Sequence, residues 1–202
     1  RSLVGVGLEL FGLRPVPLVG RRAERDRLWQ CLRHAATRRE PRLLALRGPA
    51  GVGKTQLAQC FAERARETGA ANVLRIDHTM AGGPGDGMER AISRLLRCDG
   101  LGRPGVRRRL LDLMRIGDRW SNYDIDAATE LLAPAVNGRV PRVVFASRSE
   151  RWAIMARILA AYAEERTLVL WCDDVQWGLE TLDMIRWWLS SDLNEPVPFV
   201  AL

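Results

Sequence analysis

Two periodicities alternate along this chain, one typical of helices and the other of strands. Apolar positions three or four residues apart, with charged residues between them, predict amphipathic helices. These helices are expected at 24–39, 54–68, 88–97, 106–116, 125–135 and 148–165, and from Leu182 to Leu189. Short apolar runs predict strands. The strands are expected at 42–47, 72–77, 167–172 and 196–202. This alternation favours an α/β fold with a parallel sheet, in which ligands bind at the carboxyl ends of the strands.

The composition is that of a globular protein, with 47% hydrophobic and 27% charged residues in 202. Residues 1–17 contain Gly and Pro without a periodic pattern and predict a linker, whereas 18–202 predict one folded core. Because the chain starts at Arg1 rather than Met, we expect an internal piece of a longer protein. Its apolar runs are shorter than the roughly 18 residues of a membrane span, so no membrane partner is expected.

Charge and cysteine usage narrow the function classes further. Thirty-one basic and twenty-four acidic residues give a net charge of +7. Lys54 is the only lysine, and the other basic residues are arginines. The arginines are spread along the chain among acidic residues, so direct nucleic-acid binding is not expected. The run at 107–109 fits a solvated helix face better than a phosphate-contacting patch. The four cysteines lie far apart without a Cys-x-x-Cys pair, which argues against a zinc cluster or a disulfide framework and favours a cytoplasmic protein.

The single lysine lies in a glycine-rich motif, G-x-x-x-x-G-K-[ST], between a predicted strand and the start of a helix. The glycines let the backbone wrap around a phosphate chain, because no Cβ obstructs it and the helix N-terminus faces the negative charge. We expect Lys54 to reach the β- and γ-phosphates and the Thr55 hydroxyl to bind Mg²⁺. The expected nucleotide-binding residues are Gly48, Pro49, Ala50, Gly51, Val52, Gly53, Lys54, Thr55 and Gln56. In this context a glycine-rich turn without a ligand is disfavoured.

Two aspartates, Asp173 and Asp174, follow the apolar run at 167–172. Adjacent carboxylates beside a buried strand are costly without a cation or basic partners. A metal site is therefore favoured over the alternative, an N-terminal cap of the helix that begins near Thr181. We expect Asp173 to bind Mg²⁺ through water and Asp174 to polarise the attacking water as a general base. The two roles could be divided differently, since neighbouring side chains of a strand point in opposite directions.

Three segments, in this order, resemble the ATPase module of STAND-type, AAA-related signalling proteins. They are 18–28, with Leu-Val-Gly-Arg and Glu-Arg-Asp-Arg-Leu, the glycine-rich motif, and 168–177, which ends in Asp-Asp-Val-Gln-Trp. The resemblance implies an α/β, three-layer P-loop NTPase of the AAA/ASCE type, with ATP and Mg²⁺ as its ligands. It also implies that Val19, Gly20 and Arg21 lie beside the adenine.

Under this resemblance the leading hypothesis is slow MgATP hydrolysis, with Lys54 and Asp174 as catalytic residues, that switches a larger signalling protein between nucleotide states. The alternatives are a non-hydrolysing nucleotide-binding scaffold and a DNA-loading ATPase. Expected partners are ATP and ADP, other domains of the parent protein such as a serine/threonine kinase domain, and further copies in a nucleotide-dependent homo-oligomer. The sequence is expected to stop before the family's last strand and helical lid, so this fragment alone should hydrolyse ATP weakly or not at all. The segment after Trp177 is one residue shorter than is usual in the family, so a different loop shape is expected there.

Overall fold

The fold is taken from a computed structural model that describes residues 19–82, 86–114, 120–134, 140–163, 166–190 and 199–201. The predicted linker at 1–17 lies outside these residues. The helices are α1 (Arg22–Arg38), α2 (Lys54–Glu67), α3 (Gly87–Leu95), α4 (Arg103–Met114), α5 (Asn122–Leu132), α6 (Arg148–Tyr162) and α7 (Leu179–Ser190). The strands are β1 (Arg42–Leu43), β2 (Asn72–Ile76), β3 (Leu168–Cys172) and β4 (Phe199–Ala201). No helix in this part of the chain is long and apolar enough to cross a membrane.

The four strands form one parallel sheet in the order β1-β4-β3-β2, which confirms the predicted parallel α/β fold. β2 pairs with β3 along its whole length, from Asn72 opposite Leu168 to Ile76 opposite Cys172. β4 lies between β1 and β3. Because all pairs are parallel, the segments that follow β1, β2 and β3 leave the sheet at the same edge.

Side chains that alternate along β2 and β3 bury both faces of the sheet, and this produces three layers. Leu168 and Leu170 join a core cluster with α3 to α7, whereas Val169 packs against α1 and α2. All three are 0% exposed. A strand buried on both faces appears in the sequence as an unbroken apolar run, as at 168–172, and each buried Leu or Val side chain contributes about 1.5–3 kcal/mol.

Several element boundaries differ from the predicted ones, for local reasons. α4 starts at Arg103, three residues early, because Pro104 is well tolerated in a first helical turn. α5 starts at Asn122, where Ser121 and Asp124 form a reciprocal capping box. The end predicted for α4 lies outside the described residues. α5 was expected to reach residue 135 but ends at Leu132, because Ala133 precedes a proline and leaves the helical conformation.

Two differences lie next to the predicted site. β1 extends only over Arg42–Leu43, which pair with Val200 and Ala201 of β4, although a strand was expected to continue to residue 47. After β3 the chain forms a turn of 3₁₀ helix at Val175–Trp177, which the apolar pattern does not predict. This turn brings the start of α7 forward to Leu179.

Candidate functional site

The glycine-rich loop, residues 48–55, joins the β1 segment to α2 and has the backbone shape that its glycines predict. Gly51 and Gly53 have φ of 79° and 83°, a left-handed conformation that side chains with a Cβ rarely adopt. Gly53 also precedes α2 and provides no side-chain cap for it. The N-terminus of this 14-residue helix thus lies at the loop, and the first N–H groups of a helix are the ones that can bind an anion.

Lys54 is the first residue of α2, and its side chain reaches back to the start of this loop. Its ammonium donates hydrogen bonds to the carbonyl oxygens of Gly48 and Pro49, both at 2.9 Å. The Lys54 side chain thus folds back over the loop that the motif predicts to hold phosphate. Two further residues predicted to bind the nucleotide, Ala50 and Gln56, are exposed.

Thr55 and Asp173, predicted to share a metal ion, are in contact although 118 residues separate them in the chain. The Thr55 hydroxyl donates to Oδ1 of Asp173 at 3.1 Å. Mg²⁺ prefers oxygen ligands and commonly takes only one or two carboxylates from the protein, with phosphates and water completing its shell. These two oxygens fit such an ion beside a nucleotide, and no cluster of three or more His, Cys, Asp or Glu residues that could hold a metal occurs in the described ranges.

The second carboxylate oxygen of Asp173 is held by a residue that the motifs did not identify. Arg75, on β2, donates to Oδ2 of Asp173 at 3.1 Å and to Asp77 at 2.6 Å. Its guanidinium also lies 4.4 Å from the centroid of the Trp171 ring, its register partner on β3. A basic side chain therefore compensates the carboxylate that the sequence predicted to need a cation or a basic partner.

Asp174 differs from its neighbour in both backbone and surroundings. It has a left-handed φ of 50°, which costs a non-glycine residue about 1 kcal/mol or more. Its exposed carboxylate accepts a hydrogen bond from Gln176 at 3.1 Å. It makes no capping bond to the 3₁₀ turn, and α7 starts after Gly178, so the geometry does not favour the helix-cap alternative.

A cleft of about 370 Å³ joins these parts at the carboxyl ends of β1 and β3. Lys54, Thr55, Asp173 and Asp174 all line it, together with Gln176. Cys172 is a further lining residue, and burial raises the pKa of its thiol to about 12 and keeps it protonated. The cleft thus brings together the predicted phosphate-binding, metal-binding and general-base residues.

The segment from Val19 to Arg21, predicted to lie beside an adenine, does not line this cleft. It contacts the glycine-rich loop at Val52, whose carbonyl oxygen accepts a hydrogen bond from the Arg21 guanidinium. Gly20 and Arg21 both have left-handed φ, 77° and 51°, and Val19 is 86% exposed. The segment is therefore tied to the loop by Arg21, with the Val19 side chain left at the surface.

His78 is the second residue near the site that the motifs did not identify. It follows β2, is buried, and contacts the backbone of Asp173. For Arg75, the available signal was a charge between the apolar residues Leu74 and Ile76 of a strand. His78 had no such signal, because its partners become neighbours only through the pairing of β2 with β3.

The chain is similar to a known protein family over most of its length. Residues 17–192, most of the chain, match the profile of a family described as the AAA ATPase domain. No curated protein matches the chain at a significant level. The matched range begins before Val19 and continues beyond the two aspartates through all of α7.

Proposed function

The chain belongs to the AAA ATPase domain family, and we propose that it binds MgATP in the cleft and hydrolyses it slowly, with nucleotide state switching a larger signalling protein. The observation that carries the proposal is the Thr55–Asp173 contact, which joins the glycine-rich loop to the strand bearing the acids. Both halves of a nucleotide site must meet in this way if one metal ion is to touch both.

Binding in this proposal rests on the loop and its lysine. The N–H groups at the start of α2 and the Lys54 ammonium surround the phosphates, and the ammonium leaves the two loop carbonyls to do so. Thr55 and Asp173 would hold the magnesium ion, whose charge offsets that of the phosphates. Arg75 keeps the Asp173 carboxylate directed toward Thr55 by holding its other oxygen.

Hydrolysis rests on Asp174. Its carboxylate is exposed in the cleft, where it can accept a proton from water and orient that water toward the terminal phosphate. Phosphoryl transfer depends mainly on positioning and charge stabilisation, so Lys54 contributes again as negative charge develops on the transferred group.

The test is ATP turnover by the full-length protein that contains this chain, as the wild type and as Asp174→Asn, with nucleotide affinity measured in parallel. Loss of a general base should lower kcat by about 10²–10⁴-fold while the affinity for MgATP stays close to that of the wild type. Asp183→Asn, an exposed acid on α7 that does not line the cleft, is the matched control and should leave kcat unchanged. A wild-type protein that binds MgATP without turnover would favour the non-hydrolysing scaffold, and equal kcat in Asp174→Asn would exclude the assigned base.

A further inference from the structure

His78 is a buried polar residue whose two ring nitrogens both have partners on the segment after β3. His78 is only 6% exposed to solvent. Nδ1 is 2.9 Å from the backbone oxygen of Asp173, and Nε2 is 2.9 Å from the hydroxyl of Thr181. Because a carbonyl can only accept, Nδ1 donates to Asp173, and Nε2 of a neutral ring accepts from Thr181. The imidazole therefore bridges the two ends of the segment 173–181.

Gly178 packs against the same ring in the middle of this segment. A Cβ at Gly178 would lie 2.2 Å from Cδ2 of His78 and 2.3 Å from Nε2, distances that real Cβ atoms do not adopt. Its φ of −109° is open to any residue, so close approach rather than backbone conformation requires glycine here. The segment is thus held by the imidazole at three points, its start, its middle and its end.

These contacts fix the peptide that directs Asp174. The Asp173 N–H donates to the Ile76 carbonyl at 2.9 Å, and the Asp173 carbonyl accepts from His78. Both polar groups of the Asp173 backbone are therefore held, one by the last residue of β2 and the other by His78 just after it. The next residue, Asp174, adopts its left-handed conformation directly after this anchored peptide. Its side chain has a single neighbour in the hydrogen bonds described for it, Gln176, so its direction depends on the backbone path.

We propose that His78 is a positioning residue, which clamps the segment 173–181 and so directs Asp174 toward the bound nucleotide. The inference rests on the proposed function for its effect on turnover. The clamp itself is a property of the folded chain and does not depend on nucleotide. His78 acts entirely through Asp173, Gly178 and Thr181 and does not touch the nucleotide.

The first experiment measures amide hydrogen exchange of 173–182 in the full chain, without nucleotide, for the wild type and His78→Ala. Loss of the clamp should speed exchange in this segment by about tenfold or more, with little change in α1 and α2. Leu110→Ala, a buried residue on α4 outside the clamp contacts, controls for a general loss of stability. Equal exchange of 173–182 in the wild type and His78→Ala would overturn the clamp.

The second experiment measures kcat and the dissociation constant for MgATP in the same variants of the full-length protein. Misplacing Asp174 should lower kcat by about 10- to 100-fold in His78→Ala and leave the affinity nearly unchanged. His78→Asn, whose amide can still donate to the Asp173 carbonyl, should recover part of kcat. Unchanged kcat in His78→Ala would overturn the inference while leaving the proposed function intact.

Gly178→Ala provides a further test, because its effect should depend on the imidazole. In the wild-type background the added methyl group should speed exchange of 173–182 and lower kcat. In the His78→Ala background the ring is absent, so Gly178→Ala should add little to either effect. Full additivity of the two substitutions would contradict the clamp. If no variant or wild-type protein bound MgATP, the proposed function would fail, and the exchange measurements would still decide the clamp.

Discussion

Individual side chains in the cleft bring together parts of the chain that are far apart in sequence. Asp173 by itself makes three such contacts. Its carboxylate contacts Thr55 of the glycine-rich loop and Arg75 of β2, and its backbone contacts His78. Its carboxylate is therefore both the expected magnesium ligand and the partner of a cation. Replacing it changes the charge balance of the cleft without removing a large buried surface.

Asp173→Asn should raise the Mg²⁺ concentration needed for ATP binding. The amide keeps one oxygen near Thr55 but loses the negative charge that attracts the ion, so we expect an increase of about tenfold or more. Titrations of ATP at several Mg²⁺ concentrations measure this effect. Thr55→Ser, which keeps the hydroxyl, should stay near the wild type. The same Mg²⁺ requirement in Asp173→Asn and the wild type would remove Asp173 from the metal site.

Cys172 provides a test of burial in the lining of the cleft. Because burial raises its pKa to about 12, the thiol stays protonated at pH 8 and should react with maleimide far more slowly in the folded protein than in urea. Mass spectrometry of labelled peptides would measure both rates. Equal rates in the folded and urea-unfolded protein would show that Cys172 is accessible.

At the scale of elements, ion pairs hold α4 and α5 together on the side of the sheet opposite α1 and α2. Arg107 on α4 donates to Oδ1 of Asp126 on α5 at 2.9 Å, and Arg142 reaches the same oxygen at 3.3 Å. Arg109, of the same basic run at 107–109, donates to the Leu96 carbonyl at 3.1 Å. Two of the three arginines in this run therefore bond to other elements of the fold. The run is therefore neither the fully solvated helix face that was expected nor a free phosphate-binding patch.

The Arg107–Asp126 pair predicts a pH-dependent contribution to stability. Burial alone would raise the pKa of the Asp126 carboxyl, but the hydrogen bond and charge of Arg107, with those of Arg142, outweigh it and hold the pKa below its usual value. A carboxyl with a lowered folded-state pKa stabilises the fold above its unfolded-state pKa, near 4, and loses this contribution as pH falls through the folded-state value. Arg107→Gln should therefore lower the free energy of unfolding by about 0.5–1 kcal/mol at pH 7 and by less in acid. Urea unfolding at pH 7 and near pH 3 measures the difference, and a loss that is the same at both pH values would contradict this assignment.

Elements that have their own periodicity or motif could be predicted from the sequence. Contacts that arise only when β2 pairs with β3 could not. α2 has both helical periodicity and a glycine at its start, and β3 is a continuous apolar run. The glycine-rich loop and Asp173–Asp174 were found because a motif specifies their spacing. The roles of Arg75 and His78 depend on the register of β2 against β3, and the 3₁₀ turn depends on the packing of Gly178 against His78. No local pattern encodes these contacts.

At the scale of the whole molecule, a nucleotide in the cleft would connect the loop after β1 with the segment after β3. Ligand binding to the folded state alone stabilises it by about 2.7 kcal/mol at a free ligand concentration of 100 times Kd. For a domain of this size we therefore expect MgADP to raise Tm by about 5–10 °C. Thermal unfolding followed by circular dichroism measures the shift, and a Tm unaffected by saturating MgADP would argue against nucleotide binding by the folded chain.

The most direct test of the account is calorimetric titration of MgATP into the wild-type chain, Lys54→Ala and Lys54→Arg. Lys54→Ala removes the only lysine and its charge-assisted hydrogen bonds, so its affinity should fall by about 10- to 100-fold. Lys54→Arg keeps the charge but replaces a compact ammonium with a planar guanidinium, and it should recover little of the lost affinity. Equal affinity of the wild type and Lys54→Ala would contradict nucleotide binding by this loop.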